Sequence, residues 1–585
     1  MSALQLIRQD DFTGGLNLRA DQFKLAPNES PDMLNVEVDP RGGLFSRGGM
    51  RRVNTVGILS NYLLTEDNYN LTDQSGNALT LEANPYWFPK TMFGHYADQH
   101  YLMLGTGYDT AINGGVYYST GGDFTQLSVD VYSENGPCFA SWGQNLYFTT
   151  GKGHKVYHWD GTTLTAIAKT GTNTVSPDVV AFGNNTAHIP SAEHIVYHAG
   201  RLFVADIKNY SGTTATVSDA PNMVRWSNEN NPTLWTESDK IEIFGNGDKI
   251  TSMVSFGGVL VIFKRTCIYV LSGDGSTDYP WNLQLVTNKV GAATHQTVAT
   301  SERGVYFYSW PDGLFVFTGQ GVIDLFEPIR PIVLRNEINP AASENISVAN
   351  INRRIWVSVP YSTTSSPTRS TVCFVYDPSV SGFSYTGESY GVDDAFQASG
   401  TWIKHQTADG WGLSCGLTFT TTSGTIINAA AHAAKDVVLN IDAIYYQTDN
   451  INGTEQGFST HYRTRWLDAE NYSQKKMWRR PDFILRQETT TRDLDIRVFH
   501  DYEESDIGQK RQFDLNVAGS GGSSLWGTGT WGSFKWGTEN EGSFVKTGQN
   551  LGLARAVQLE IVGPSGLSWG IDSMTLKYNP RRVRA

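Results

Sequence analysis

Six times between residues 94 and 390, a polar or glycine turn opens into a short strand rich in aliphatic and aromatic side chains. These strands are Tyr101-Leu102-Met103-Leu104, Leu146-Tyr147-Phe148, Leu202-Phe203-Val204, Val259-Leu260-Val261-Ile262, Val305-Tyr306-Phe307-Tyr308 and Ile355-Trp356-Val357, and their starts recur at intervals of about 45 to 57 residues. A second strand follows each, as in Val156-Tyr157-His158-Trp159 and Leu314-Phe315-Val316-Phe317. A unit of about 40–50 residues with two or more strands has the spacing of a β-propeller blade. One small sheet cannot bury both of its faces, whereas a ring of sheets covers each with its neighbours and leaves only short edges. A fainter seventh unit starts at Trp411 and runs through Ile426-Ile427.

Beyond residue 440 the pattern changes to alternation, as in Leu494-Asp495-Ile496-Arg497-Val498-Phe499, Ala556–Val562 and Met574–Tyr578. Such segments read as half-buried antiparallel strands. The expected architecture is therefore all-β. A β-propeller of six blades, with a seventh in outline, occupies 94–440, and a β-sandwich or jelly-roll occupies 441–585. Residues 1–93 read as an extended clamp or platform, separable enough that removing 1–50 should spare the propeller. Helix is expected only around Ala429–Lys435.

Composition agrees with this reading. Aromatics reach 12%, charged residues only 18%, and glycine numbers 59 of 585 residues. So many rings exclude a disordered chain, and so few charges exclude a coiled coil. The apolar run Val259–Phe263 is stopped by Lys264 and Arg265, far short of the ~20 residues that cross a bilayer. Arg8, Asp10 and Asp11 interrupt the start, so neither a secretory signal nor membrane insertion is expected. Cys138, Cys267, Cys373 and Cys415 form no C-x-x-C pair and read as buried, reduced thiols.

Formal net charge is −13, and residues 441–585 are balanced, so the first 440 carry the whole surplus. A protein that grips nucleic acid normally shows a basic surplus. An acidic conduit would instead repel a polyanion and let it slide.

No nucleophile elbow, H-E-x-x-H, phosphate loop or EF-hand loop is present, so no catalytic residue, metal ligand or cofactor is expected, and the chain reads as a non-enzyme. His95 and His100 read as surface residues. Ser272–Trp281 is a loose, single echo of the sialidase Asp-box. Two surface features stand out. Trp526, Trp531 and Trp536 each precede a glycine at five-residue spacing, either as pegs fastening a loop or as flat rings offered to a sugar or partner. Lys475, Lys476, Arg479 and Arg480 flank Met477-Trp478, either as a phosphate-contact patch or as a solvated strand end. The stretches 206–223 and 361–370 read as lengthened loops, candidates for a gate or an inter-subunit hook.

The front of the chain carries the most distinctive pattern: Phe12-Thr13-Gly14-Gly15-Leu16-Asn17, Leu25-Ala26-Pro27-Asn28-Glu29, Leu34-Asn35-Val36-Glu37 and Arg41-Gly42-Gly43-Leu44-Phe45-Ser46-Arg47. It resembles the opening of the tail nozzle family of short-tailed bacteriophages, also called tail tubular protein B. The close match spans about 40 residues. The resemblance implies a virion tail protein, assembled in the host cytoplasm, that forms a homo-hexameric ring below an adaptor ring (tail tubular A-like). Through this ring the genome passes, with transient non-specific DNA contact, and tail fibres, spikes and a tail needle are the further partners implied. On this reading Gly14, Gly15, Pro27, Asn35, Gly43 and Arg47 form an assembly motif. The glycines allow close backbone approach, Pro27 fixes a bend, Asn35 bonds its own backbone in a turn, and Arg47 reaches carboxylates or carbonyls across a subunit junction. The rival expectations are another phage tail or baseplate protein, and a carbohydrate-binding or carbohydrate-cleaving propeller.

Overall fold

The computed structural model describes residues 4–20, 24–55, 58, 89–107, 114–167, 191–211, 216–235, 238–245, 247–380, 384–386, 397–443, 446–486, 492–503, 509–517 and 543–581. Six consecutive four-stranded antiparallel sheets span 89–131, 138–166, 191–242, 250–287, 298–324 and 347–405. These are blades one to six. Blade seven is built from Leu413–Thr420, Ile426–His432 and Val438–Ala443, and its fourth strand is Gly49–Arg52 from the front of the chain. The chain is thus a seven-bladed β-propeller among the described residues, closed by a strand from the opposite end of the sequence.

The first strand of each blade lies nearest the axis. Pro89–Tyr96, Cys138–Trp142, Ser191–His198, Ile250–Phe256, Val298–Ser301, Ser347–Ile351 and Leu413–Thr420 contact one another in that order, and the last contacts the first. Hydrogen bonds at the repeat spacing stitch adjacent blades. His95 Nδ1 meets Ser141 Oγ at 2.8 Å, His198 Nδ1 meets Ser255 Oγ at 2.9 Å, and Asn350 Nδ2 donates to the Thr300 carbonyl at 2.8 Å. His95 is fully buried in this role, so it is not the surface residue that its turn-rich neighbourhood suggested. Burial pushes its imidazole pKa down.

The strands recognised in the sequence are the second and third of each blade. Those strands have apolar residues facing both neighbouring blades, as in Val259–Lys264 and Gly313–Phe317, where nearly every side chain is buried. The Ala429–Lys435 stretch is not a helix. Ala429, Ala430 and Ala431 pair with Asn440, Leu439 and Val438 in blade seven. Their small side chains pack against the inner strands there, and this tertiary setting outweighs alanine's helix propensity. The short helical turn lies instead at Pro331–Leu334. The described parts of the stretch 206–223 are not a free loop either, while 212–215 lie outside the described residues. Those described parts continue the hairpin of Arg201–Ser211 and Thr216–Trp226 through a bulge at Asp206, a buried carboxylate paired with Lys152 at 2.5 Å.

After the propeller, two further sheets share one core. An eight-stranded sheet is centred on Gly570–Pro580 and Asp482–Arg486, and a five-stranded sheet is centred on Val557–Gly563 and Arg492–His500. Phe483, Leu485, Leu494, Ile496, Leu559, Ile561, Met574 and Leu576 are buried between them. The front of the chain enters both sheets. Gln5–Gln9 and Leu44–Ser46 pair with Gly570–Pro580, and Asp32–Leu34 pairs with Thr460–Arg463. The same apolar core continues into blades five and six through Tyr308, Phe326, Trp356 and Trp402. Described strands between residues 5 and 52 are therefore members of both sandwich sheets and of blade seven, which runs against the expectation of a separable front segment.

Candidate functional site

The path of the front segment and the axis of the propeller each bring chemistry-bearing side chains together.

Along the front segment the quoted motif is a set of intrachain fastenings. A Cβ on Gly14 would lie 2.8 Å from the Asn28 carbonyl oxygen, and Gly15 adopts a φ of 63° against Thr401 and Trp402. Only glycine suits that second position, because it combines left-handed backbone with contact. Pro27 lies in the turn closed by the Glu29 N–H donating to the Ala26 carbonyl. Gly43 makes room for Arg486, whose guanidinium sits between Asp572 (2.8 Å) and Asp39 (3.1 Å).

Asn35, at a φ of 54°, does not bond its own backbone. Its Nδ2 donates to the Ser459 carbonyl, and its Oδ1 accepts from Arg47 Nε and the Gln406 N–H. Arg47 does not reach across a subunit junction. It is buried and bonds Asp449 through two N–H···O contacts of 2.8 and 2.7 Å, while also donating to the Gln406 and Gly48 carbonyls. Its guanidinium lies 3.6 Å from the centre of the Phe458 ring. Asp449 accepts further bonds from the Met50 and Ala408 N–H groups. Sequence reasoning did not find Asp449, Gln406 or Ser459, which lie about 360–425 positions away and belong to no motif of their own.

The basic run 475–480 does not form one surface patch. Lys476 is buried, and its Nζ donates to the carbonyls of Asn471, Gln474 and Arg555. Arg479 bonds Asn579, and Asp482 pairs with Lys577. Lys475, Arg479 and Arg480 stay exposed. Trp526, Trp531 and Trp536 lie outside the described residues. The Tyr361–Ser370 stretch is a true loop, held by turn bonds in which the Thr364 and Ser365 N–H groups donate to the Ser362 hydroxyl oxygen.

The axis of the propeller encloses a cavity of about 770 Å³, within the range of small-ligand sites. Its middle is apolar, lined by Phe93, Phe139, Met253, Val298 and Val348. Each end carries one cation. At the starting end of the inner strands, Lys90 donates to Asn345 Oδ1 at 2.5 Å, and burial pushes its amine down to about 8. Nearby, His295 and His194 meet edge to face at 5.7 Å, with both ring nitrogens of His295 and Nδ1 of His194 unpartnered. At the finishing end, Arg353 stands exposed in the hairpin turn after Ser347–Ile351. No Asp or Glu lines the described cavity.

No family model and no curated protein matches this chain. Solved structures do. BamB from Moraxella catarrhalis matches with 10% identity and a TM-score of 0.33, over 68% of this chain and 96% of BamB. A Trypanosoma rangeli sialidase in complex with sialic acid matches with 11% identity and a TM-score of 0.27, over 92% and 96%. A glycoside hydrolase matches with 10% identity and a TM-score of 0.23, over 85% and 100%. The expectation of a non-enzyme is corrected here, since a sialidase and a glycoside hydrolase stand among the structures this chain resembles. Scores this low carry no particular reaction over to it.

Proposed function

We propose that this chain is a tail nozzle protein of a short-tailed bacteriophage, a propeller subunit of a six-fold ring through which a genome passes. One observation carries the reading. Three positions of the nozzle-like opening help join propeller to sandwich: Gly15 against Trp402, and Asn35 and Arg47 at the junction with Gln406, Asp449 and Ser459. A pattern with such tasks belongs to an architecture rather than to chance similarity of loops, so a family sharing the pattern would share this join. The propeller's axis, filled by side chains to a 770 Å³ cavity, is too narrow for a duplex. The conduit in this reading lies between subunits, and its ring partner is an adaptor. Immunogold labelling of virions, with negative-stain images of the purified chain mixed with the virion's adaptor ring, tests it. Label at the tail and six-fold rings support the proposal; absence of label from virions overturns it.

A second reading, a propeller that binds or cleaves carbohydrate, has the axial cavity in its favour. An apolar wall with polar groups at its ends suits a small hydroxylated ligand. Glycan-array binding and reducing-sugar release by the full chain test this reading.

A further inference from the structure

We infer that the finishing end of the axial cavity is a binding site for a carboxylated sugar, its carboxylate on the Arg353 guanidinium and its ring face on Tyr96. The inference rests on the second reading and not on the nozzle reading.

Three inner strands bring the site together. The Asn352 N–H donates to Thr418 Oγ1 at 2.7 Å, which ties the turn carrying Arg353 to the end of Leu413–Thr420. The next residue of that strand, Phe419, stacks on Tyr96 with ring centres 5.8 Å apart, and His100 Nδ1 meets the Thr420 carbonyl at 2.7 Å. Arg353 and Tyr96 thus flank one strand at one end of the cavity, and both line it.

The turn itself is built to present the cation. Asn352 and Arg353 have φ values of 51° and 62°, the paired left-handed geometry of a two-residue hairpin turn. Asparagine accepts that backbone readily, whereas arginine does so at a steric cost. The turn thereby carries the Arg353 side chain at the mouth of the cavity. No described carboxylate engages the Arg353 guanidinium, and none lines the cavity, although the chain as a whole is strongly acidic.

The chemistry follows from these groups. A guanidinium offers a fork of N–H donors that matches a carboxylate with two parallel bonds. Tyr96 is 48% exposed, with Phe419 stacked on it and His100 in T-shaped contact at 5.0 Å, so part of its ring is open to solvent. A pyranose presents an apolar face in its C–H groups, which can pack against that exposed part of the ring. Lys90 at the far end is tied to Asn345 and lies near Glu344 and Glu134, so selection for an anionic sugar falls to Arg353.

Calorimetric titration of the full chain with sialic acid and with galacturonic acid tests the site, with galactose as the neutral probe and a nucleoside monophosphate as the phosphate probe. Saturable binding of at least one acidic sugar, weakened by about tenfold or more in Arg353→Asn and in Tyr96→Ala, is the expected result. Asparagine keeps the left-handed turn, so Arg353→Asn should leave the melting temperature unchanged while removing the charge. Galactose binding equally well, the phosphate alone binding, or Arg353→Asn binding as tightly as wild type would each overturn the inference. Neutral glycans binding without acidic ones would sink it while leaving the carbohydrate reading standing. Silence toward all sugars would remove both.

Discussion

Arg47 and Asp449 form a buried, two-pronged ion pair across 402 residues of sequence, with side chains 2% and 0% exposed. Around it meet the closing strand of blade seven, the connector that leaves blade six at Gln406, and the first strands of the sandwich. A charge pair taken out of water gains little net stability on its own, but leaving one partner unpaired is costly. Here every remaining lone pair of Asp449 that could go wanting is used by backbone N–H groups of Met50 and Ala408. The pair therefore fixes which strands meet more than it adds to the total.

Arg47→Ala should destabilise the protein by about 3–5 kcal/mol, because it strands the Asp449 carboxylate in an apolar setting. Asp449→Asn should cost less, since an amide is neutral and can still accept from Met50 or Ala408. Arg47→Met with Asp449→Leu should recover part of the loss. Urea unfolding of the four proteins checks the order. If the double variant were as unstable as Arg47→Ala, the account of a stranded charge would fail.

Deleting residues 1–52 should abolish cooperative folding of the propeller. It takes the fourth strand from blade seven and leaves Val438–Ala443 with an unpaired edge, a surface that invites aggregation. It also strips two sheets of the sandwich domain of their front-end strands. Soluble yield and thermal melting of the truncated chain are the measurements. A truncated protein that melts as sharply as the full chain would show that the closing strand is dispensable.

The propeller was legible because its two middle strands are buried on both faces, so each reads as a continuous apolar run after a turn. Inner and outer strands escaped notice for the opposite reason. Thr125–Val131, for instance, alternates exposed and buried residues and has one face in water. Blade seven was faint because its fourth strand lies about 390 residues away, and no periodicity links Gly49–Arg52 to Val438–Ala443. The front motif was recognised as a pattern but assigned to an external contact. Nothing in Asn35 or Arg47 reveals that their partners are Ser459 and Asp449, since pairing across such a distance is decided by the fold. The axial cavity was invisible for the same reason: Lys90 and Tyr96 come from blade one, His295 from the turn before blade five and Arg353 from blade six, and only ring closure brings them to one axis.

Gly15→Ala should cost about 2–3 kcal/mol or more. The residue sits at a φ of 63°, and an added methyl would overlap the Thr401 side chain and the Trp402 carbonyl. Strain and overlap act together there. Gly424→Ala is the control, since it shares a positive φ but has open space around it. It should lose only the backbone term, about 1 kcal/mol. Equal melting temperatures for the two variants would mean that contact with Trp402 contributes nothing.

Acid should weaken the propeller through the His194–His295 pair. Burial holds both imidazoles well below their ordinary value, His194 at about 4. Lys249 and Lys152 near His194, and Lys90 and Lys249 near His295, oppose protonation further, while Asp206 and Glu193 offset part of that effect. In the unfolded chain both rings take up protons near pH 6.5. The unfolded state then binds more protons than the folded state, so stability rises with pH across this interval. It is complete above about 6.5 and is lost as pH falls toward 4, by roughly 3 kcal/mol for His194 alone. Carboxylates titrate in the same range, so the decisive comparison is the difference between wild type and His194→Phe, measured by urea unfolding at pH 7.5, 6, 5 and 4. That difference should shift in favour of the variant as pH falls. A gap that stayed constant across the series would mean that His194 keeps its ordinary affinity for protons inside the fold.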